Sequence, residues 1–278
     1  MNSISLQGKV AVVTGGGGGI GRSICESFAE LGARVFVADS DAGAVAAMNE
    51  RSESSQFPVE AIECDVRSTA SVRSLMERVK VAAGRLDVLV NNAGHTLGLL
   101  KPLEKMSDEN IDDLFGILLR HVMICSREAI PLMKASGEGG SIISISSIEG
   151  YRGLPNIVPY AAFKLGIEGF TKSLALELGP FGIRVNGIAP ETTESESIKP
   201  SRWVKPENRE RIPSWIPLGR FGRPEDTAGC AVFLASSLSE WVTGTTVHCD
   251  GGSLAAAGWY RLDERRWTNT PIIEGSGL

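Results

Sequence analysis

Apolar and polar positions alternate between two periods along this chain. Val10–Thr14 is a short apolar, β-branched run and reads as a buried strand. Ile20, Ile24, Phe28 and Leu31 follow at helical spacing, and Gly32 ends that helix. The same alternation then recurs. Arg34–Asp39 predicts a strand, 41–51 a helix, Val59–Cys64 a strand, and Val72, Leu75, Met76 and Val79 a helical stripe. Leu86–Asn91 predicts the next strand. Ile111, Leu114, Phe115, Leu118, Val122 and Cys125 form one long helical stripe. A strand over Ser141–Ser147, a helix over 157–178 and a strand over Ile183–Ala189 come after it. Pro224–Ala235 predicts a helix and Thr245–Cys249 a short last strand. Strands that alternate with helices specify a parallel sheet covered on both faces. The expected fold is therefore α/β, a doubly wound parallel sheet of about seven strands. It forms a single domain over residues 1–253, with an irregular insertion near 191–217 and a tail over 254–278.

Composition narrows the setting. The chain has 278 residues, 42% of them hydrophobic, and no apolar run long enough to span a bilayer. The N-terminal MNSISLQGKVAVVTG has no signal-peptide layout. Cys25, Cys64, Cys125, Cys230 and Cys249 are scattered, with no CxxC and only three His in the chain. Neither disulfides nor a metal site is expected, and a reducing cytoplasm fits. A net charge of −5 gives no footprint for nucleic acid.

Five consecutive glycines, Gly15–Gly19, lie at the first strand-to-helix turn. That turn meets phosphates in sheets of this kind: helix N-terminal amides carry partial positive charge, and missing Cβ atoms let the backbone come close. Asp39 ends the second strand 18 residues beyond Gly21. A carboxylate there would accept hydrogen bonds from an adenosine ribose; a helix N-cap is its other possible role.

Taken together, the motifs resemble the short-chain dehydrogenase/reductase family over about residues 6–253. TGGGGGIG (Thr14–Gly21) is similar to its TGxxxGxG, with Gly15, Gly19 and Gly21 as the fixed glycines and Ile20 beside them. Cys64-Asp65-Val66 is similar to its Asp-Val step beside the adenine, and Asn91-Asn92-Ala93-Gly94 to its NNAG. Ser147, Tyr160 and Lys164 match its Ser and YxxxK, and Asp250-Gly251-Gly252 its last strand. The resemblance implies a Rossmann-type oxidoreductase. Its cofactor would be held by Gly15, Gly19, Ile20, Gly21, Asp39, Asp65, Val66, Asn92, Ala93, Gly94, Tyr160, Lys164, Pro190, Thr193 and Ser195. Asp39 implies NAD, because a carboxylate repels a 2′-phosphate and no basic residue lies within Gly15–Gly19. It also implies Tyr160 as the base, Ser147 as hydrogen-bond donor to the same substrate oxygen, and Lys164 as the cation that lowers the Tyr160 pKa and grips the nicotinamide ribose. A homo-oligomer, tetramer or dimer, is implied as well.

Two positions depart from the family pattern. Leu118 stands where the family has a catalytic Asn and is expected to complete the apolar stripe; the alternative is that His121, one turn on, substitutes for that Asn. Glu191 follows Pro190 where the family has Gly, which places a charge near the nicotinamide, either solvated or on a differently placed loop.

Loops at the carboxyl ends of the strands should bind substrate. The candidates are His95, Leu97, Glu149, Tyr151, Asn156, Trp203 and Trp215, whose bulk favours a hydrophobic or cyclic secondary alcohol or ketone. Lys199, Arg202, Lys205, Arg209 and Arg211 make the insertion basic, either as a solvated helix face or as an attractor for an anionic substrate or carrier thioester. Trp259, Tyr260 and Trp267 in the tail suggest docking on a neighbouring subunit. The function expected is NAD-dependent interconversion of a secondary alcohol and its ketone. The alternatives are a 3-oxoacyl-thioester reductase and a catalytically weakened dinucleotide-binding or scaffold protein.

Overall fold

The computed structural model describes residues 4–53, 55–56, 58–196, 198–199, 204–258, 260–261, 264 and 267–268. The first half alternates β1 (Val10–Thr14), α1 (Gly19–Glu30), β2 (Arg34–Asp39), α2 (Ala42–Glu53), β3 (Val59–Glu63), α3 (Thr69–Ala83) and β4 (Val88–Asn91). The second half runs α4 (Asp108–Phe115), α5 (His121–Ser136), β5 (Gly140–Ile145), α6 (Val158–Leu178), β6 (Ile183–Pro190), α7 (Ile212–Trp215), α8 (Pro224–Ala235), β7 (Thr246–Cys249) and α9 (Ser253–Ala256). A two-stranded antiparallel pair, β8 (Tyr260–Arg261) and β9 (Trp267–Thr268), lies in the tail.

Seven strands form one parallel sheet in the order β3-β2-β1-β4-β5-β6-β7. The order reverses between β1 and β4, and that reversal opens a crevice at the carboxyl ends of the strands. Both faces of the sheet are buried, each in its own apolar cluster. Val12, Phe36, Leu89 and Ile142 pack under α3 and α5, while Val13, Val37, Val90 and Ile143 pack under α1 and α8. Among the described residues, no helix is long and apolar enough to cross a membrane.

The elements differ from the expected ones in three places. The stripe from Ile111 to Cys125 is two helices joined by a π-helical turn, Gly116–Arg120, which the apolar spacing conceals because both helices bury one face. The strand expected over Ser141–Ser147 ends at Ile145, which leaves Ser147 in the following turn and free to face the crevice. The insertion carries short helical segments at Pro206–Arg211 and Ile212–Trp215. Trp203, Arg202 and Trp259 lie outside the described residues.

Candidate active site

The glycine turn is built so that backbone, not side chains, faces the crevice. Gly15 and Gly19 have φ of +63° and +52°, a region that side chains disfavour. A Cβ on Gly21 would run into the Gly15 carbonyl, and one on Gly17 would stand 2.9 Å from an Asp39 carboxylate oxygen. α1 starts without a side-chain cap and with no acid in its first turn, so its first amides remain available for an anion. Asp39 accepts from the Gly17 amide at 2.9 Å and from the Asp41 amide at 3.0 Å, which fixes its carboxylate at the edge of the turn. Thr14 Oγ1 accepts from the amides of Asn92 (3.0 Å) and Ala93 (3.1 Å), and Asn92 Nδ2 donates to the carbonyls of Thr14 (3.0 Å) and Gly15 (2.8 Å). The Asn92 side chain thus locks the β4 loop to the glycine turn. These features fit a dinucleotide: a turn in which a Cβ on Gly15, Gly17 or Gly21 would clash, an open helix N-terminus, and a fixed carboxylate beside them.

The rim is also paired. Asp65 is held by Arg67, which donates to it from Nε at 3.0 Å and Nη2 at 2.9 Å and keeps its carboxyl below the usual range. Val66, next in the chain, is buried. Arg22, just after the glycines, pairs with Glu196 of the insertion at 2.7 Å, so its charge is already engaged. Ser195 of that segment lies over Gly19, its Cβ 3.4 Å from where a Gly19 Cβ would stand. Thr193 Oγ1 donates to the Glu191 carbonyl at 2.9 Å.

Across the crevice, Tyr160 and Lys164 share a face of α6, and Ser147 meets them from the turn after β5. The Ser147 hydroxyl is within hydrogen-bonding reach of the Tyr160 phenol. Burial pushes that phenol above its ordinary pKa; the Ser147 bond opposes the shift and the Glu149 charge adds to it. This differs from the expected depression by Lys164. The Lys164 ammonium donates instead to the Ile145 carbonyl at 2.7 Å and lies 5.8 Å from the centre of the Tyr160 ring. Burial draws the Lys164 pKa down to about 8.

The two departures have been built into the site. Glu191 is not solvated: it is 5% exposed, and both its carboxylate oxygens accept hydrogen bonds. Arg152 Nη2 donates to it at 2.9 Å, the Ser253 hydroxyl at 2.7 Å, and its own neighbour Thr192 through N–H (2.7 Å) and Oγ1 (2.9 Å). Arg152 also donates to Glu149 from Nε (3.1 Å) and Nη2 (2.7 Å) and to Ser253 from Nη1 (3.1 Å). The guanidinium therefore ties together the loop after β5, the loop after β6 and the start of α9. Leu118 is fully buried in the apolar cluster, and its Cδ2 also borders the space beside Gly94 that Lys164 Nζ borders.

The substrate candidates separate. Tyr151 leaves the set: its ring meets His248 edge-on at 4.6 Å and its hydroxyl lies beside Glu168 and Thr246, so it packs between α6 and β7. Glu149 is spent on Arg152. His95 is exposed, its Nδ1 accepting from the Leu97 amide at 3.1 Å. The Asn156 carbonyl accepts from the Lys101 amide at 2.7 Å, which joins the loops after β4 and β5. Trp215 packs edge-on to Phe221 and lines a cavity with Arg152, Ser253, Leu254 and Tyr260. Lys199, Lys205, Arg209 and Arg211 are exposed to solvent. Arg152 and Ser253 carried no signal in the sequence, since their partner Glu191 is 39 and 62 residues away.

Residues 15–253 match the family model described as Enoyl-(Acyl carrier protein) reductase. The chain is 39% identical to an uncharacterized oxidoreductase of Schizosaccharomyces pombe, over 91% of this chain and 93% of that one. It is 38% identical to the 3-oxoacyl-(acyl-carrier-protein) reductase FabG of Thermotoga maritima, over 89% and 98%. A crystal structure assigned to a short-chain alcohol dehydrogenase from Sinorhizobium meliloti aligns with a TM-score of 0.83 at 33% identity, covering 91% and 98%. The likeness extends from the glycine turn to the loop after β7, and the chain belongs to the short-chain dehydrogenase/reductase family of oxidoreductases.

Proposed function

We propose that this protein is an NAD-dependent dehydrogenase that interconverts a hydrophobic or cyclic secondary alcohol and its ketone. The observation that carries this reading is the meeting of Ser147, Tyr160 and Lys164 across the crevice from the glycine turn and Asp39. Bound along Gly15–Gly21, the dinucleotide supplies the hydride chemistry. In alcohol oxidation, Tyr160 in its ionised phenolate form takes the hydroxyl proton at its oxygen, becoming the neutral phenol, and Ser147 donates to the substrate oxygen. Lys164, charged, offsets the burial that raises the phenol pKa once its ammonium turns from Ile145 toward the phenol. Asp39 selects NAD, since a 2′-phosphate would meet a fixed carboxylate with no free cation beside it among the described residues: Arg22 is already bonded to Glu196.

Pocket charge supports a neutral substrate. Arg152 is flanked by Glu149 and Glu191, and Trp215, Leu254 and Tyr260 supply apolar surface. A second reading, reduction of a 3-oxoacyl thioester, is favoured by the likeness to the reductases named FabG. The protein would work in the cytoplasm as a tetramer or dimer. Initial rates with cyclic secondary alcohols, their ketones and acetoacetyl thioesters separate the readings. Cyclic alcohols should be turned over with the highest kcat/KM. Preference for the thioester would establish the second reading, and tight NADH binding without turnover of any of them would indicate a dinucleotide-binding scaffold.

A further inference from the structure

Arg152 does more than pair Glu191: with Ser253 it also lines a cavity of about 380 Å³, within the size range of small-molecule sites. Trp215 of α7, Leu254 of α9 and Tyr260 of β8 give that cavity its large apolar walls, and Ser214 adds a hydroxyl. Two bonded steps join its wall to the catalytic serine. Ser147 Oγ accepts from the Glu149 amide at 3.2 Å, and the Glu149 carboxylate accepts from Arg152 at 2.7 and 3.1 Å.

The donors at this wall can be counted. A guanidinium has five N–H groups. The Nε–H goes to Glu149, the two on Nη2 go to Glu149 and Glu191, and one on Nη1 goes to Ser253. The second Nη1 N–H has no partner among the described residues. The two serines have no proton to spare: the Ser253 hydroxyl donates to Glu191 at 2.7 Å, and that of Ser214 to the Arg211 carbonyl at 2.6 Å. Arg152 is held by three side chains, so its open donor is fixed before any ligand arrives.

Charge limits what this donor can take. Glu149 and Glu191 set two negative charges against the one of Arg152, and a carboxylate or phosphate would be repelled by both. Among the described residues Arg152 is the only basic side chain lining the cavity. An uncharged oxygen accepts from a guanidinium without that penalty.

We propose that Arg152 is a specificity-determining residue, its remaining N–H donating to a second, neutral oxygen of the substrate, a hydroxyl or carbonyl remote from the reacting carbinol. With the carbinol at Ser147 and Tyr160, the far end of the molecule enters this cavity, its carbon frame against Trp215 and Leu254 and its oxygen at Arg152. The substrate class is thereby narrowed to hydroxylated or keto-bearing cyclic alcohols. This inference rests on the reading of the protein as a secondary-alcohol dehydrogenase.

The test compares kcat and KM of the full chain for cyclohexanol and for cyclohexanols carrying across the ring either a second hydroxyl or a carboxylate. The diol should exceed cyclohexanol in kcat/KM by about tenfold or more, mostly through KM, because the remote bond forms equally in ground and transition states. The carboxylate should gain nothing over cyclohexanol. In Arg152→Lys the three ammonium donors are taken by Glu149, Glu191 and Ser253, and the preference for the diol should fall to within about threefold of one. A wild-type ratio near one, a preference for the carboxylate, or an unchanged ratio in Arg152→Lys overturns the proposal. The wild-type ratios decide it alone if that variant fails to fold. Should no alcohol be turned over, the dehydrogenase reading fails, and calorimetric titration of the NADH complex with the same three compounds still decides the role of Arg152: tighter binding of the diol supports it, and equal binding overturns it.

Discussion

The halves of the crevice are built by different means. On the β1–β4 side the working surface is backbone: glycine amides, an uncapped helix start, and a carboxylate pinned by two amides. Motif residues there match their pattern one for one, because a Cβ at Gly21 would strike the Gly15 carbonyl and leave no room for an alternative. On the β5–β7 side the working surface is side chains, and two positions have changed. Glu191 is paired with Arg152 and hydrogen-bonded by Ser253, and the Leu118 position is filled by an apolar side chain with His121 one turn away. A site made of backbone tolerates little revision, whereas a site made of side chains can be rebuilt by distant partners.

Substitutions on the two sides should therefore behave differently. The largest effect is expected at Tyr160, the proposed base. Tyr160→Phe should lower kcat by about 10²–10⁴, the range that general acid–base groups supply, with NADH affinity nearly unchanged by fluorescence titration. Retention of more than about a tenth of the activity would mean that another group is the base.

Next comes the rebuilt network. Arg152→Ala leaves Glu191 buried beside Glu149 with no cation, and should cost about 2–4 kcal/mol in denaturant unfolding, toward the low end because the guanidinium is partly exposed. Pairing it with Glu191→Gly, the family residue, should recover part of that loss. Additive losses would show that the two residues are not coupled.

A smaller, more selective effect is expected on the backbone side. Asp39→Ala should narrow the preference for NAD over NADP by about 1–2 kcal/mol, measured as the ratio of dissociation constants. The smallest effect is expected at Leu118→Asn. An amide there would border the space shared by Lys164 and the Ile117 carbonyl, so it finds partners. Stability should change by less than about 1.5 kcal/mol, and turnover should rise where proton transfer limits it. A larger loss of stability would show that the site cannot accept an amide.

Most of the sheet was legible in the sequence, because buried parallel strands and amphipathic helices leave distinct periods. The glycine turn and Asp39 were legible from their places at the ends of β1 and β2, and the Ser147–Tyr160–Lys164 set from its resemblance to the family's motif. Three features were not. The π-helical turn leaves the apolar stripe intact, so Ile111 to Cys125 reads as one helix. Tyr151 reads as a loop residue near the site, yet its ring is claimed by His248 on β7. The Arg152–Glu191–Ser253 network joins residues up to 101 positions apart, and no local pattern announces it.

The central claim is that a fixed carboxylate and a Ser–Tyr–Lys cluster make this crevice an NAD-dependent dehydrogenase site. Its most direct test is the initial rate of the wild-type protein with one cyclic secondary alcohol, NAD and NADP being compared at equal concentration. The account predicts turnover with kcat/KM for NAD at least about tenfold that for NADP, a difference of about 1.4 kcal/mol. Equal rates with the two cofactors, or none with either under conditions where both bind, would contradict it.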